Sequence, residues 1–223
     1  MPLNPELASW RKATRARLIA TRMAVEAADH ARWSASIEAT LTLACPAAAG
    51  WVVGLCWPFQ AEFDARPVAE VFRARGARLA LPAVVAKAQP LKFLEWWPGA
   101  PLVSGVYGLL VPDGTAPLVP DVLLVPPVGI GAAGDRLGYG GGFFDRTLAA
   151  LEPRPLTFAH AFELSRVPTT TPQPHDILMD FVITEAGVEV AVAGGLKRIT
   201  PAECHALALS LAARRQLPRA RVP

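Results

Sequence analysis

The chain has 223 residues and is 52% apolar, which suits one α/β domain, or one with small additions, built on a sizeable core. Its net charge of +3 is partly gathered in Arg214, Arg215, Arg219 and Arg221, too small and local an excess for a nucleic-acid binder. The odd set of Cys45, Cys56 and Cys204 has no paired metal spacing and fits a reducing cytosol.

The start of the chain is Arg-rich with no apolar run behind it, so no signal peptide is expected. A helix is predicted over 5–21. Its apolar face is blurred, and Arg11, Arg15 and Arg22 fall on one side of it. That side reads either as a solvated basic face or as a helix leaning over a bound polyanion. A second amphipathic helix is predicted over 27–42. Residues 39–61 form a 23-residue stretch without a charge. Pro46, Gly50, Gly54 and Pro58 interrupt it, so a helix end, a loop and a buried strand explain it better than a membrane span.

The apolar run 51–56 predicts a strand, and the loop from Trp57 to Asp64 follows it. In α/β folds such a loop, at the carboxyl end of the sheet, is a usual place for ligand contacts. Glu62 and Asp64 read equally as acids of the next helix's first turn. That helix is predicted over 66–75 and closed by Gly76. A strand over 78–81 stops at Pro82. Strand 91–97 carries Phe93, Trp96 and Trp97, which read as core ahead of pocket. Residues 103–120 read as an irregular apolar excursion.

Residues 122–125 predict a buried strand ended by Pro126 and Pro127. Seven glycines then occur in the fourteen residues 129–142. Glycine weakens a folded chain, so a cluster this dense points to a ligand approaching the backbone. Arg136 and Asp145 bracket its densest part. That suits phosphate held by N–H groups and a guanidinium, with a metal ion on the carboxylate. A helix over 143–151, strands over 157–162 and 181–184, and a helix over 201–214 with proline in its first turn complete the pattern. Strands alternating with helices predict a three-layer α/β domain with a mainly parallel central sheet.

Several other chemistries have little support. Residues 129–134 match G-x-G-x-x-G literally, but the chain continues as turn where a dinucleotide site needs a helix. No Walker A, HExxH, GxSxG or paired CxxC sequence is present. His175 beside Asp176 does not make a dyad by adjacency alone. Asp145 and Asp176 make a better pair, since two carboxylates with bound phosphates suit Mg²⁺. Asp145 has a plainer reading as an exposed helix acid balanced by Arg146.

The run Gly134-x-Arg136-Leu137-Gly138-Tyr139-Gly140-Gly141-Gly142-Phe143-Phe144-Asp145 resembles the signature of the 5-formyltetrahydrofolate cyclo-ligase (methenyltetrahydrofolate synthetase) family. That signature is G-x-R-L-G-x-G-x-G-aromatic-aromatic-D. Arg11 and Arg15 fit the family's first helix, Trp57 and Glu62 its loop after the first strand, and Gly76 to Pro82 its next segment. Tyr107-Gly108 and Pro112 fit its middle. His175-Asp176 and Asp180 through Glu185 fit its close, so the resemblance covers residues 8–187. It implies cyclisation of 5-formyltetrahydrofolate to 5,10-methenyltetrahydrofolate, dependent on ATP and Mg²⁺, with phosphorylation of the formyl oxygen. Such chemistry needs phosphate positioning more than a nucleophile.

By the resemblance, Arg11, Arg15 and Arg136 through Phe144 hold ATP, and Arg136 and Tyr139 act in the chemistry. Trp57, Glu62 and Tyr139 through Phe143 meet the folate, and Asp145 and Asp176 hold Mg²⁺. A monomer in the cytoplasm is expected, with no nucleic-acid or membrane partner. The family-like domain is placed at 1–190, and 191–223 is a C-terminal extension with a helix and basic tail. Arg11 stands where lysine is frequent, Ile130-Gly131 replaces an aromatic-Asp pair, and Phe143-Phe144 replaces Tyr-Tyr. These departures keep a non-catalytic folate- or nucleotide-binding relative as an alternative reading, with a nicotinamide-dependent oxidoreductase behind it.

Overall fold

A computed structural model describes residues 4–217. Helix α1 (Pro5–Met23) starts where Asn4 accepts a hydrogen bond from the Glu6 N–H at 2.9 Å, with Pro5 in its first turn. Helix α2 (Ala27–Ala44) leads to strand β1 (Val52–Gly54) and helix α3 (Arg66–Ala74). Gly76 ends α3 at φ +92, and a Cβ there would sit 3.0 Å from the Ala49 Cα, so a larger residue would be strained and would crowd the loop before β1. Strands β2 (Arg78–Ala83), β3 (Lys92–Trp96), β4 (Leu102–Ser104), β5 (Leu110–Pro112), β6 (Pro117–Leu118) and β7 (Val122–Val125) follow. The glycine stretch contains β8 (Gly129–Ile130) and β9 (Arg136–Leu137) before helix α4 (Phe143–Ala150). Strands β10 (Leu156–His160), β11 (Phe181–Thr184), β12 (Gly187–Val192) and β13 (Gly195–Ile199) and helix α5 (Pro201–Arg214) complete the described chain. Helix α5 opens on a capping box between Thr200 and Glu203.

Nine strands form one sheet in the order β13-β12-β11-β10-β7-β1-β2-β3-β6. The centre, from β11 to β2, is parallel, with Val53 beside Val122 and Leu79, and Phe158 beside Leu124 and Phe181. Both flanks are antiparallel, so the sheet is parallel only at its centre. Connection length is the reason for three of the four antiparallel pairs, β3 with β6 being the exception. Residues 185–186 and 193–194 are tight hairpin turns, and 84–91 is shorter than the dozen or so residues a parallel crossover needs. All four residues of β7 are buried, because helices cover both faces of the parallel centre.

Ile37 and Leu41 of α2, Val68 and Phe72 of α3, and Cys204 and Ala208 of α5 pack on one face against Val53, Leu79, Leu124 and Phe158. Leu148 and Phe144 of α4 pack on the other face with Leu123, Val125 and Val182. Helix α1 lies elsewhere. Its Leu18 packs on Val128, Leu137 and Val167, which fixes the helix over the β8–β9 ladder.

Two expectations change and one holds. Pro82 does not stop β2, which runs on to Ala83. The β1 ladder ends at Ala80, so beyond it β2 has only β3 as a neighbour and tolerates a proline. The excursion at 103–120 contains the β4–β5 hairpin and β6. Phe93 and Trp96 are core residues, as the plainer reading had it.

The segment from 191 supplies β13 and the α5 face that packs on α2. Arg215 pins its end, donating to the Asp180 carboxylate at 2.6 and 2.8 Å and to the Pro155 carbonyl at 2.7 Å. Arg219 and Arg221 of the basic tail lie outside the described residues. Among the described residues no helix is long and apolar enough to cross a membrane. The uncharged stretch 39–61 is divided between the end of α2, two loops and β1.

Candidate active site

Parallel strands deliver their following loops to one edge of the sheet. Here the loop after β1 and the glycine stretch after β7 meet at that edge, with α1 alongside them. Residues 138–142 form a wall between two cavities.

The first cavity, of about 600 Å³, is cationic. Arg11, Arg15, Arg136 and Arg146 line it, with Asp145, Asp176 and the glycines. The i, i+4 spacing of Arg11 and Arg15 puts both on the cavity side of α1. Arg11 donates to the Thr170 and Thr171 carbonyls at 3.2 and 2.9 Å and to Asp176 Oδ2 at 2.7 Å. Arg15 Nε donates to the Gly138 carbonyl at 2.6 Å. Burial lowers the Arg15 pKa, and the neighbouring charge of Arg11 adds to that. Gly140 has φ +97, and a Cβ there would lie 3.3 Å from the Arg15 guanidinium carbon, so glycine is what allows the arginine against the backbone.

Asp145 is paired with Arg136 at 2.6 Å, not with the adjacent Arg146, and also accepts from the Ile177 N–H at 3.0 Å. Arg146 instead donates to the Gly141 carbonyl and lies 5.6 Å over the Phe143 ring. Its Nε is buried without a hydrogen-bond partner. Burial pushes the Asp176 carboxyl up, but the Gln173 N–H and Arg11 outweigh it and hold the group below its ordinary pKa. His175 is exposed and 3.7 Å from Asp176, too far for a hydrogen-bonded dyad.

Among the described residues no three or more His, Cys, Asp or Glu side chains are grouped to hold a metal ion on their own. Asp145 and Asp176 fit a different case. Each has Oδ atoms anchored by an arginine and a backbone N–H, and both line the same cationic cavity. Mg²⁺ is commonly held by one or two carboxylates together with phosphate oxygens and waters.

The second cavity, of about 450 Å³, is mainly apolar. Trp57, Phe59, Tyr107, Leu109, Phe143 and Phe144 line it. Arg66 stacks over Trp57 at 4.2 Å while paired with Asp64 at 2.6 Å, and Trp96 meets the same indole edge-on. Glu62 is the buried acid of this cavity. Its Oε2 accepts from the Phe59 N–H at 3.0 Å and its Oε1 from the Tyr139 hydroxyl at 2.6 Å. Burial raises the Glu62 pKa, opposed by Tyr139 and Arg22, and burial together with the Glu62 charge raises that of Tyr139.

Of the residues expected at phosphate and metal, Arg11, Arg15, Arg136, Leu137, Gly138, Gly140, Gly141, Gly142, Asp145 and Asp176 line the first cavity, whereas Tyr139, Phe143 and Phe144, also expected at ATP, do not line it, because their side chains turn to the other face of the wall. Trp57, Glu62, Tyr139, Phe143 and Phe144 gather around the second. Leu137 also packs in the α1 cluster. Sequence reasoning missed Arg146, Tyr107, Leu109 and Arg22. Two of them carried a signal: Arg22, by its position on the same side of α1 as Arg11 and Arg15, and Tyr107, by its fit to the family's middle segment. The literal G-x-G-x-x-G serves structure. Gly131 lies where a Cβ would collide with the Asp135 carboxylate, which accepts from the Thr170 N–H and hydroxyl at 2.6 Å, and no helix opens there.

The fold and the two cavities define a class: an α/β protein with a cationic and an apolar cavity sharing a glycine wall at the carboxyl edge of a parallel sheet. The model of the 5-formyltetrahydrofolate cyclo-ligase family matches residues 7–185, and the chain belongs to that family. A 5-formyltetrahydrofolate cyclo-ligase of Mycolicibacterium smegmatis is 36% identical over 123 residues, 49% of this chain and 60% of that relative. The match thus spans less than two thirds of that relative's length. One of Escherichia coli K12 is 31% identical over 153 residues, 64% of this chain and 82% of the relative. The solved 5,10-methenyltetrahydrofolate synthetase of Aquifex aeolicus has a TM-score of 0.70 at 22% identity, covering 85% of this chain and 96% of its own. That of Mycoplasma pneumoniae has a TM-score of 0.64 at 20% identity, covering 78% and 98%. At these identities the two structures establish likeness of fold.

Proposed function

We propose that the protein joins N10 of 5-formyltetrahydrofolate to its formyl carbon, using ATP and releasing ADP and phosphate. One observation carries this reading: a cationic and an apolar cavity share the 138–142 wall. A triphosphate suits four arginines and glycine N–H groups. A flat heterocycle suits Trp57, Phe59 and Phe143. The wall between them is where a γ-phosphoryl group and a formyl oxygen would meet.

The formyl oxygen attacks the γ-phosphorus, and the bond to ADP breaks. N10 then adds to the activated carbon and gives its proton to solvent, and the oxygen leaves with the phosphate. Arg11, Arg15 and Arg136 neutralise charge that builds on the phosphoryl oxygens. Trp57 and Glu62 orient the folate, and Tyr139, on the wall, faces the folate with its hydroxyl held by Glu62. Asp145 and Asp176 would hold Mg²⁺, which supplies charge neutralisation on the phosphates when bound. Phe143 and Phe144 lack hydroxyls, so neither moves a proton, and their part is packing. We place the protein in the cytoplasm as a monomer.

The test is near-ultraviolet absorbance of the conjugated methenyl product in a mixture of protein, 5-formyltetrahydrofolate, Mg²⁺ and ATP. A rise that requires ATP is expected. Binding of both ligands without turnover would leave a non-catalytic relative instead.

A further inference from the structure

Arg22 has no role in the assignments above, yet it is 3% exposed in the last turn of α1. A buried guanidinium persists only where acceptors satisfy its donors. Arg22 donates to the Gln60 carbonyl at 2.9 Å, the Phe59 carbonyl at 3.4 Å and the Tyr139 hydroxyl at 2.9 Å. It also lies 3.7 Å from the Glu62 carboxylate. These partners belong to two loops, the one after β1 and the glycine wall.

The first loop is strained. Gln60 and Ala61 are consecutive non-glycine residues with φ of +50 and +58. Such a pair lasts only when its surroundings over-determine it. Arg22 grips one carbonyl, and His30 Nε2 bonds the next, that of Ala61, at 3.2 Å. The loop so held carries Glu62 into the apolar cavity.

We propose that Arg22 is a positioning residue that fixes the Glu62 carboxylate and the Tyr139 hydroxyl in the apolar cavity and supplies Glu62 with its countercharge. This rests on reading that cavity as the folate site. The charged and titratable groups facing Glu62 are Arg22 from α1, Tyr139 from the glycine wall and the Cys56 thiol, which burial and the Glu62 charge hold protonated. Arg22 is the cation among them. Without it, a buried carboxylate takes up a proton at higher pH and offers the pterin's N–H groups a donor where they need an acceptor.

The test is equilibrium titration with 5-formyltetrahydrofolate, read by quenching of tryptophan fluorescence, since Trp57 lines the cavity. Wild type should bind with less pH dependence between about pH 6 and 9 than Arg22→Gln. Arg22→Gln should bind roughly tenfold more weakly at neutral pH and regain affinity as pH rises. Arg22→Lys should keep the wild-type pH profile with weaker binding, because it restores the charge but not the planar fork. In a Glu62→Gln background, Arg22→Gln should leave the pH profile unchanged. Wild-type protein that fails to bind the folate would overturn the functional reading itself. Wild-type protein that binds, with Arg22→Gln matching it in affinity and profile, would overturn the role of Arg22. If circular dichroism shows Arg22→Gln unfolded, Arg22→Lys carries the test, and wild-type affinity in that variant would overturn the role.

Discussion

Arg136 and Asp145 are joined across the glycine wall by a 2.6 Å ion pair. One stands in β9 and the other in the first turn of α4, so their contact closes residues 138–142 into a fixed loop. Both also reach the same residue of a third segment. Arg136 donates to the Ile177 carbonyl, and the Ile177 N–H donates to Asp145. The segment carrying Asp176 is thereby locked to the wall, and both candidate metal carboxylates are set by one hydrogen-bonded unit.

Asp145→Ala should lower kcat by about 10²-fold or more, because it removes a proposed metal ligand and frees Arg136 from its set position. The protein should remain folded, with a stability loss of about 1–3 kcal/mol from the lost charge-assisted hydrogen bonds. Methenyl absorbance and thermal unfolding measure the two effects. A near-wild-type rate would remove Asp145 from the metal site.

Arg146→Gln should weaken ATP binding by roughly tenfold while leaving folate affinity near its original value. The side chain lines the cationic cavity and is absent from the apolar one. Calorimetric titration with ATP and fluorescence titration with the folate separate the two. Equal losses for both ligands would mean that Arg146 supports the wall and does not meet phosphate.

Asp180→Asn should destabilise the fold by about 3–5 kcal/mol, a drop of roughly 6–20 °C in Tm. Asp180 Oδ2 accepts from the Thr157 N–H and hydroxyl, each at 2.9 Å, and from Arg215 at 2.8 Å. The Arg215 side chain is 14% exposed and would be left without its charge partner. Differential scanning calorimetry measures the change.

Burial pushes the His160 pKa from 6.5 down to about 3, and both ring nitrogens lack hydrogen-bond partners among the described residues. The folded state therefore holds the ring neutral while the unfolded chain protonates it below its ordinary pKa. Its contribution to stability is full above about pH 6.5 and declines as pH falls, by up to about 1.4 kcal/mol per pH unit, until the folded pKa is reached. His160→Leu should flatten this part of a urea-unfolding profile taken between about pH 7 and 5. An unchanged slope would show that His160 does not cause it.

Much of the fold was legible from local pattern. Strands 122–125 and 181–184 and helix 201–214 have the expected bounds, because a continuous apolar run or a capped, periodic segment marks its own ends. The pieces that escaped are short or non-local. Strands β8 and β9 have two residues each and show no alternation. Strands β12 and β13 exist as strands because β11 gives them an edge to extend. Residues near the cavities divide the same way. Arg136 and Asp145 stood out because they bracket dense glycines, while Tyr107 and Leu109 reach the apolar cavity from the connection between β4 and β5, a separate two-stranded hairpin outside the main sheet.

By itself the sequence determined the helices and the longer central strands, their alternation and the glycine motif with its flanking charges. Each depends on residues within a few positions of one another. Tertiary structure alone decided that Asp145 pairs with Arg136 and not Arg146, and that Arg22 meets Glu62 and Tyr139. It also decided that one glycine loop has a cationic cavity on one side and an apolar one on the other. Those facts depend on how α1, the β1 loop and the β7 loop converge at one sheet edge, and packing over long sequence separations sets that convergence.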